Sequence, residues 1–172
     1  MNLLKTIAVV VVVLISNLAT PAKDWRGITP LHSTRRDVEQ LLGPAWHNLL
    51  SGSIYMLDQT PVQIVYTGQG DPAELCSRKV PLGTVLSVFV MPKEDVSLIS
   101  LGIDTDHFES FKLFFGNLDY RGFYDKRSGF VVHSLNGRVH DLSYLANAAD
   151  RPRCSNYYRN AKHFGEMRYD NF

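Results

Sequence analysis

The chain has 172 residues with 18 basic and 17 acidic side chains, a formal net charge of +1. That balance excludes the surplus of Lys and Arg on which attraction to nucleic acid or an anionic membrane surface depends. Two cysteines with no histidines at ligand spacing exclude a structural zinc site, and 45% hydrophobic residues are enough for one folded core.

The amino end reads as a secretory leader. Lys5 precedes an unbroken apolar run from Ile7 to Ile15, and Thr20 and Ala22 sit three and one before a cut after Ala22. The run is shorter than the roughly 20 apolar residues of a bilayer span, so no stable membrane span is expected after processing. The mature chain then begins at Lys23, is formally neutral without Lys5, and has the size of one domain. Residues 23–154 are expected to form that domain, and residues 155–172 a polar tail with scattered Tyr and Phe.

Trp25, Ile28, Pro30 and Leu31 read as an extended lead-in to the core. A helix is predicted over residues 34–42: Thr34 caps it, Asp37 stands where a carboxylate reaches back, and Val38, Leu41 and Leu42 make an apolar stripe. Gly43 and Pro44 stop it. Trp46, Leu49 and Leu50 are expected to cover a sheet edge.

Strand signals follow at residues 54–57 and 62–66, joined through Asp58, Gln59, Thr60 and Pro61 as a hairpin. The incomplete alternation of residues 62–67 suggests cover on both faces. Gly68, Gly70, Asp71 and Pro72 form a loop leading to Cys76. Residues 85–90 are the most strand-like stretch and are expected at the sheet centre. Residues 95–103 mix periods and carry no assignment. Asp106 and Glu109 suggest a short helix bearing Phe108, Phe111 and Phe115, ended by Gly116 and Asn117.

A second hairpin is predicted over residues 130–144 around Asn136 and Gly137, the strongest short-range turn signal present. With a two-residue turn His133 faces His140; a bulge at Gly137 instead places His140 opposite Val132. Beyond Tyr144 a surface connection leads to Cys154. Cys76 and Cys154 are expected to form one disulfide, because an exported chain meets oxidising conditions.

Chemical motifs are sparse. The six histidines, at 32, 47, 107, 133, 140 and 163, fall in no ligand or catalytic spacing. His133 with His140 is a metal candidate that lacks a third ligand. Asp104, Asp106 and His107 form the densest ionisable cluster, which capping and turn duty explain without catalysis. Gly52-Ser53 and Ser128-Gly129 lack the nucleophile elbow, and Gly68-Gln69-Gly70 leads to no helix, so it is no phosphate loop. No catalytic residue, cofactor or metal is assigned.

The stretch from Ser33 to Pro44, through Thr34, Asp37, Val38, Leu41, Leu42 and Gly43, resembles the opening helix of the SmpA/OmlA (BamE-like) envelope domains. That resemblance, shared in fold by the β-lactamase inhibitor proteins, implies helices against one face of an antiparallel sheet. A wider layout is similar to a group of uncharacterised exported bacterial proteins: Trp25-Arg26-Gly27-Ile28, the motif from Ser33, Val80-Pro81 with Gly83-Thr84-Val85-Leu86, the Asn136-Gly137 hairpin and a final cysteine. In such proteins a segment like Arg168 to Phe172 leads into another domain.

The expected fold is α+β, an antiparallel sheet of about five strands with one or two helices packed on one face. The expected role is a non-enzymatic binding or scaffolding module, periplasmic or extracellular, whose partner is another envelope or extracellular protein. Contact is expected through the open sheet face or the loops near Trp46 and Gly68 to Pro72. An enzyme inhibitor is the first alternative, and a small hydrolase using Asp104, Asp106 and His107 the second.

Overall fold

The computed structural model describes residues 23–68, 76–77, 80–93, 96–115 and 118–159, with backbone alone for 113–115 and 118–119. The leader, the loop residues Gly70 to Pro72 and residues 160–172 lie outside the described residues, as does the end of the helix expected at Gly116 and Asn117.

A helix α1 spans Arg35–Leu42 and is fixed at both ends by the residues that announce it. Thr34 and Asp37 form a reciprocal cap: the Thr34 N–H donates to the Asp37 carboxylate at 2.7 Å, and the Asp37 N–H donates to Thr34 Oγ1 at 3.3 Å. Gly43 ends the helix at φ 78°, a conformation that favours glycine, and its N–H donates to Glu39 O. Val38 is fully buried and Leu42 packs beside it, whereas Leu41, expected in the same stripe, is 54% exposed.

Among the described residues, nine strands form one antiparallel sheet. They are β1 His47–Asn48, β2 Gly52–Leu57, β3 Thr60–Tyr66, β4 Val85–Val90, β5 Val96–Ser97, β6 Glu109–Phe115, β7 Leu118–Asp125, β8 Phe130–Leu135 and β9 Arg138–Tyr144. The spatial order is β1-β2-β3-β4-β9-β8-β7-β6, with β5 alongside β9. Two four-stranded meanders, β1 to β4 and β6 to β9, therefore meet along a seam between β4 and β9. The seam pairs Val88 with Tyr144, Phe89 with Ser143 and Val90 with Leu142.

The five strands read from the sequence are β2, β3, β4, β8 and β9, and four more enlarge the sheet. β1 and β5 are two residues each, too short to carry a period. β7 has Gly122 at its middle, which masks a strand pattern. The helix expected around Phe108 to Phe115 is instead strand β6, paired along its length with β7. Phenylalanines three and four apart imitate a helical stripe, yet Phe108 packs in one core cluster and Phe111 in the other. Two-residue turns close both expected hairpins, with positive φ at Asp58 and Gln59 and at Asn136 and Gly137, matching the right-handed twist of the strands.

The sheet is covered on both faces. Val131 and Val132 are neighbours in β8 and point to opposite sides. Val132 joins a cluster with Ile28, Val38, Ile64, Val88 and Phe130, under α1. Val131 joins one with Leu31, Leu86, Phe89, Leu145, Cys154 and Tyr158. The expectation of helices on one face is thereby corrected: α1 covers the first face, while a 3-10 turn at Arg151–Cys154 and a short helix α2, Ser155–Tyr158, cover the second. Burial on both faces explains why all six residues of β4 are buried. The tail expected after Cys154 begins packed: the Tyr158 hydroxyl donates to Leu86 O, and the hydroxyls of Tyr157 and Ser87 hydrogen-bond at 2.7 Å.

Cys76 and Cys154 are joined in a disulfide, as expected, across 78 residues of chain. No helix among the described residues is long and apolar enough to cross a membrane.

Candidate functional site

Three exposed apolar residues, Trp46, Leu49 and Leu50, flank the edge strand β1, while Leu82 and Ile99 are exposed in other segments of the chain. After Gly43 and Pro44 stop α1, the Trp46 N–H donates to Ile54 O at 2.9 Å and starts the β1–β2 pairing. The Leu49 N–H donates to Gly52 O at 2.9 Å and closes a tight connection over residues 49–52. Gly52 is required there, because a Cβ would come within 2.5 Å of Ile64 O on the neighbouring strand. Leu50, within this connection, is 91% exposed, and Trp46, just ahead of β1, is 71% exposed. Neither residue covers the sheet edge as expected; β1 itself is that edge.

Gly68 is brought beside the same connection. The Tyr66 N–H donates to Ser51 O at 2.9 Å, and a Cβ at Gly68 would touch Leu50 O at 3.9 Å. Gly68, the start of the second loop expected to contact a partner, thus neighbours Leu50 and Ser51, while residues 69–72 of that loop lie outside the described residues. The sequence signal for the two loops was the breaks at Gly43-Pro44 and at Gly68.

A cleft of about 470 Å3 opens elsewhere, on the first face, and takes in Asp104 but neither Asp106 nor His107. The Asp106 N–H donates to Asp104 Oδ1 at 3.0 Å in a local turn, and His107 is exposed. The suspected acid and base cluster is therefore dispersed. The cleft floor is Phe130, with the Lys23 ammonium 3.7 Å above the ring centre. Burial draws the Lys23 pKa below its ordinary value while Asp125 opposes it. Asp125 is itself occupied, accepting from the Arg127 N–H at 2.9 Å and the Ser128 hydroxyl at 2.5 Å.

The densest polar chemistry lies largely buried on the second face, and the sequence did not reveal it. His133 faces Asp141, not His140, because β9 carries its bulge at His140. Both expected registers are corrected: Leu135 pairs with Arg138 across a two-residue turn, and the extra residue lies further along β9. His133 Nδ1 donates to Asp141 Oδ1 at 2.6 Å, and His140 Nδ1 lies 3.2 Å from Oδ2, which also accepts from the Tyr120 hydroxyl at 3.2 Å. The Tyr120 ring stacks on His133 at 5.9 Å, and Phe111 meets it edge-on at 6.1 Å.

Burial opposes the charge on Asp141, but the hydrogen bonds from His133 and His140 prevail and hold its carboxyl well below the usual carboxylate range. The carboxylate sits between the imidazoles in the place a metal would need, and the described residues contain no group of three or more ligand side chains suited to a metal ion. Ser143, the nearby hydroxyl, points at Asp141 Oδ1 from 3.5 Å and not at the free imidazole nitrogen. His133 has no exposed surface and Asp141 almost none, while His140 is partly exposed, and the cluster ties β7, β8 and β9 together.

No protein-family model, curated protein or solved structure matches this chain.

Proposed function

We propose that the chain is an exported, non-enzymatic binding module that engages another envelope or extracellular protein through Trp46, Leu49 and Leu50. The observation that carries this reading is the exposure of Trp46 and Leu50, at 71% and 91%, on either side of the edge strand β1. Large apolar side chains gathered at a surface gain free energy only when a partner covers them, and tryptophan is enriched among residues that dominate such contacts. Export is supported by the leader pattern with its cut after Ala22, and by the Cys76–Cys154 bond, which persists in oxidising compartments.

The test is capture from an envelope extract with immobilised protein beginning at Lys23, wild type beside a Trp46→Ser, Leu50→Asp double variant of unchanged circular dichroism. The expected result is a discrete partner retained by the wild type and lost by the variant. Identical sets on both columns refute the site. A captured enzyme whose activity falls on addition of the wild-type protein selects the inhibitor reading, for which an exposed apolar connection is the suitable device.

A further inference from the structure

We infer that Arg151 and Tyr124 form a binding site for a phosphate-like oxyanion on the second face of the sheet. Among the described residues, four buried side-chain polar atoms lack a hydrogen-bond partner: Tyr124 Oη, His133 Nε2, Arg151 Nε and Arg151 Nη2. Three of the four belong to two touching side chains, with the guanidinium carbon 5.3 Å from the Tyr124 ring centre.

All three are donors. A guanidinium is always charged and accepts nothing. Tyr124 keeps its proton because burial pushes its pKa up; Arg151 opposes that push, and Glu109 and Asp125 add to it. Nε and Nη2 make the edge of the guanidinium that meets a carboxylate or phosphate with two parallel bonds, and the phenol offers a third. His133 Nε2 differs in kind: with Nδ1 donating to Asp141, it is an acceptor in the neutral ring and has no part here.

Local acceptors are already taken. Arg153, two residues on, directs its guanidinium to Leu31 O at 3.2 Å and to Asp150 at 3.6 Å. Glu109, which pairs with Tyr124 in register, forms an ion pair with Lys126. Buried charged donors without an acceptor are strongly unfavourable, and among the described residues the chain supplies none to these three atoms. Arg151 is held by its own N–H donating to Asn147 O at 3.1 Å, and its turn is anchored by the disulfide at Cys154. Arg151 as a whole residue is half-buried, although its Nε and Nη2 have no exposed surface.

The test uses inorganic phosphate as probe, by calorimetry and by thermal unfolding, with sodium chloride holding ionic strength constant. The wild type is expected to bind phosphate saturably and to melt at a higher temperature in its presence. Arg151→Lys keeps the charge and loses the fork, and should weaken binding about tenfold or more. Tyr124→Phe keeps the ring and loses one donor, and should weaken it about fivefold. Sodium acetate provides a second arm: weaker binding than phosphate supports recognition by all three donors. Acetate binding as tightly as phosphate, or Tyr124→Phe leaving phosphate affinity unchanged, overturns the phosphate assignment. Absence of saturable binding in the wild type overturns the site, leaving water as the only acceptor.

Discussion

Asp141 shows how much one side chain can hold together. It receives His133, His140 and Tyr120, residues from three strands, and it is almost wholly buried. Removing one member of a buried charged network leaves the others without partners, so Asp141→Ala should destabilise the fold by about 3 kcal/mol, read from urea unfolding at neutral pH. The pH dependence has a definite sign. The folded carboxyl titrates below the unfolded one, so its contribution is complete above the unfolded value near 4 and is lost as pH falls toward the folded value. Wild type should therefore exceed Asp141→Asn in stability by a margin that holds above about pH 4 and shrinks below it; a margin that grows on acidification contradicts this account.

Within the strands, two glycines serve different neighbours. At Gly52 an added Cβ strikes backbone, the Ile64 carbonyl, which cannot step aside. At Gly122 it strikes the Phe111 ring, which lies across the position that a side chain would occupy and reaches the His133 ring. Gly52→Ala is therefore expected to cost roughly 3 kcal/mol in chemical denaturation, and Gly122→Ala roughly 1.5 kcal/mol because a ring can rotate away. Combining Gly122→Ala with Phe111→Leu should recover part of the second loss, as a double-mutant cycle reads directly. The same pair explains what the sequence concealed. Phe111 and Phe115 are four apart and suggest a helix, and Gly122 interrupts the Tyr120 to Tyr124 alternation, yet the phenylalanine fills the gap that the glycine leaves. Strands with dense β-branched and aromatic runs, such as β3, β4 and β8, were legible from composition alone. The end proposed for docking was legible as chain breaks, Gly43-Pro44 and Gly68, but the exposure of Trp46 goes with its pairing with β2. The histidine and aspartate pairing was hidden because one bulged residue, His140, shifts every partner beyond it.

At the scale of the molecule, the single disulfide joins a segment ahead of β4 to one just after β9, and these are the strands of the seam. On the chain-entropy model a bridge over a loop of this length contributes about 4 kcal/mol. Cys76→Ser with Cys154→Ser should lower the melting temperature accordingly while leaving strand content by circular dichroism intact; unchanged melting would show that the seam stands without the bridge. Many of the strand contacts within each meander are local in sequence, whereas the seam is their meeting across some fifty residues. Each half can therefore order early and the union must come late. Because the bridge spans that union, the time course of thiol disappearance during refolding is expected to follow the docking of one half on the other; thiols lost before the seam pairs would contradict this order.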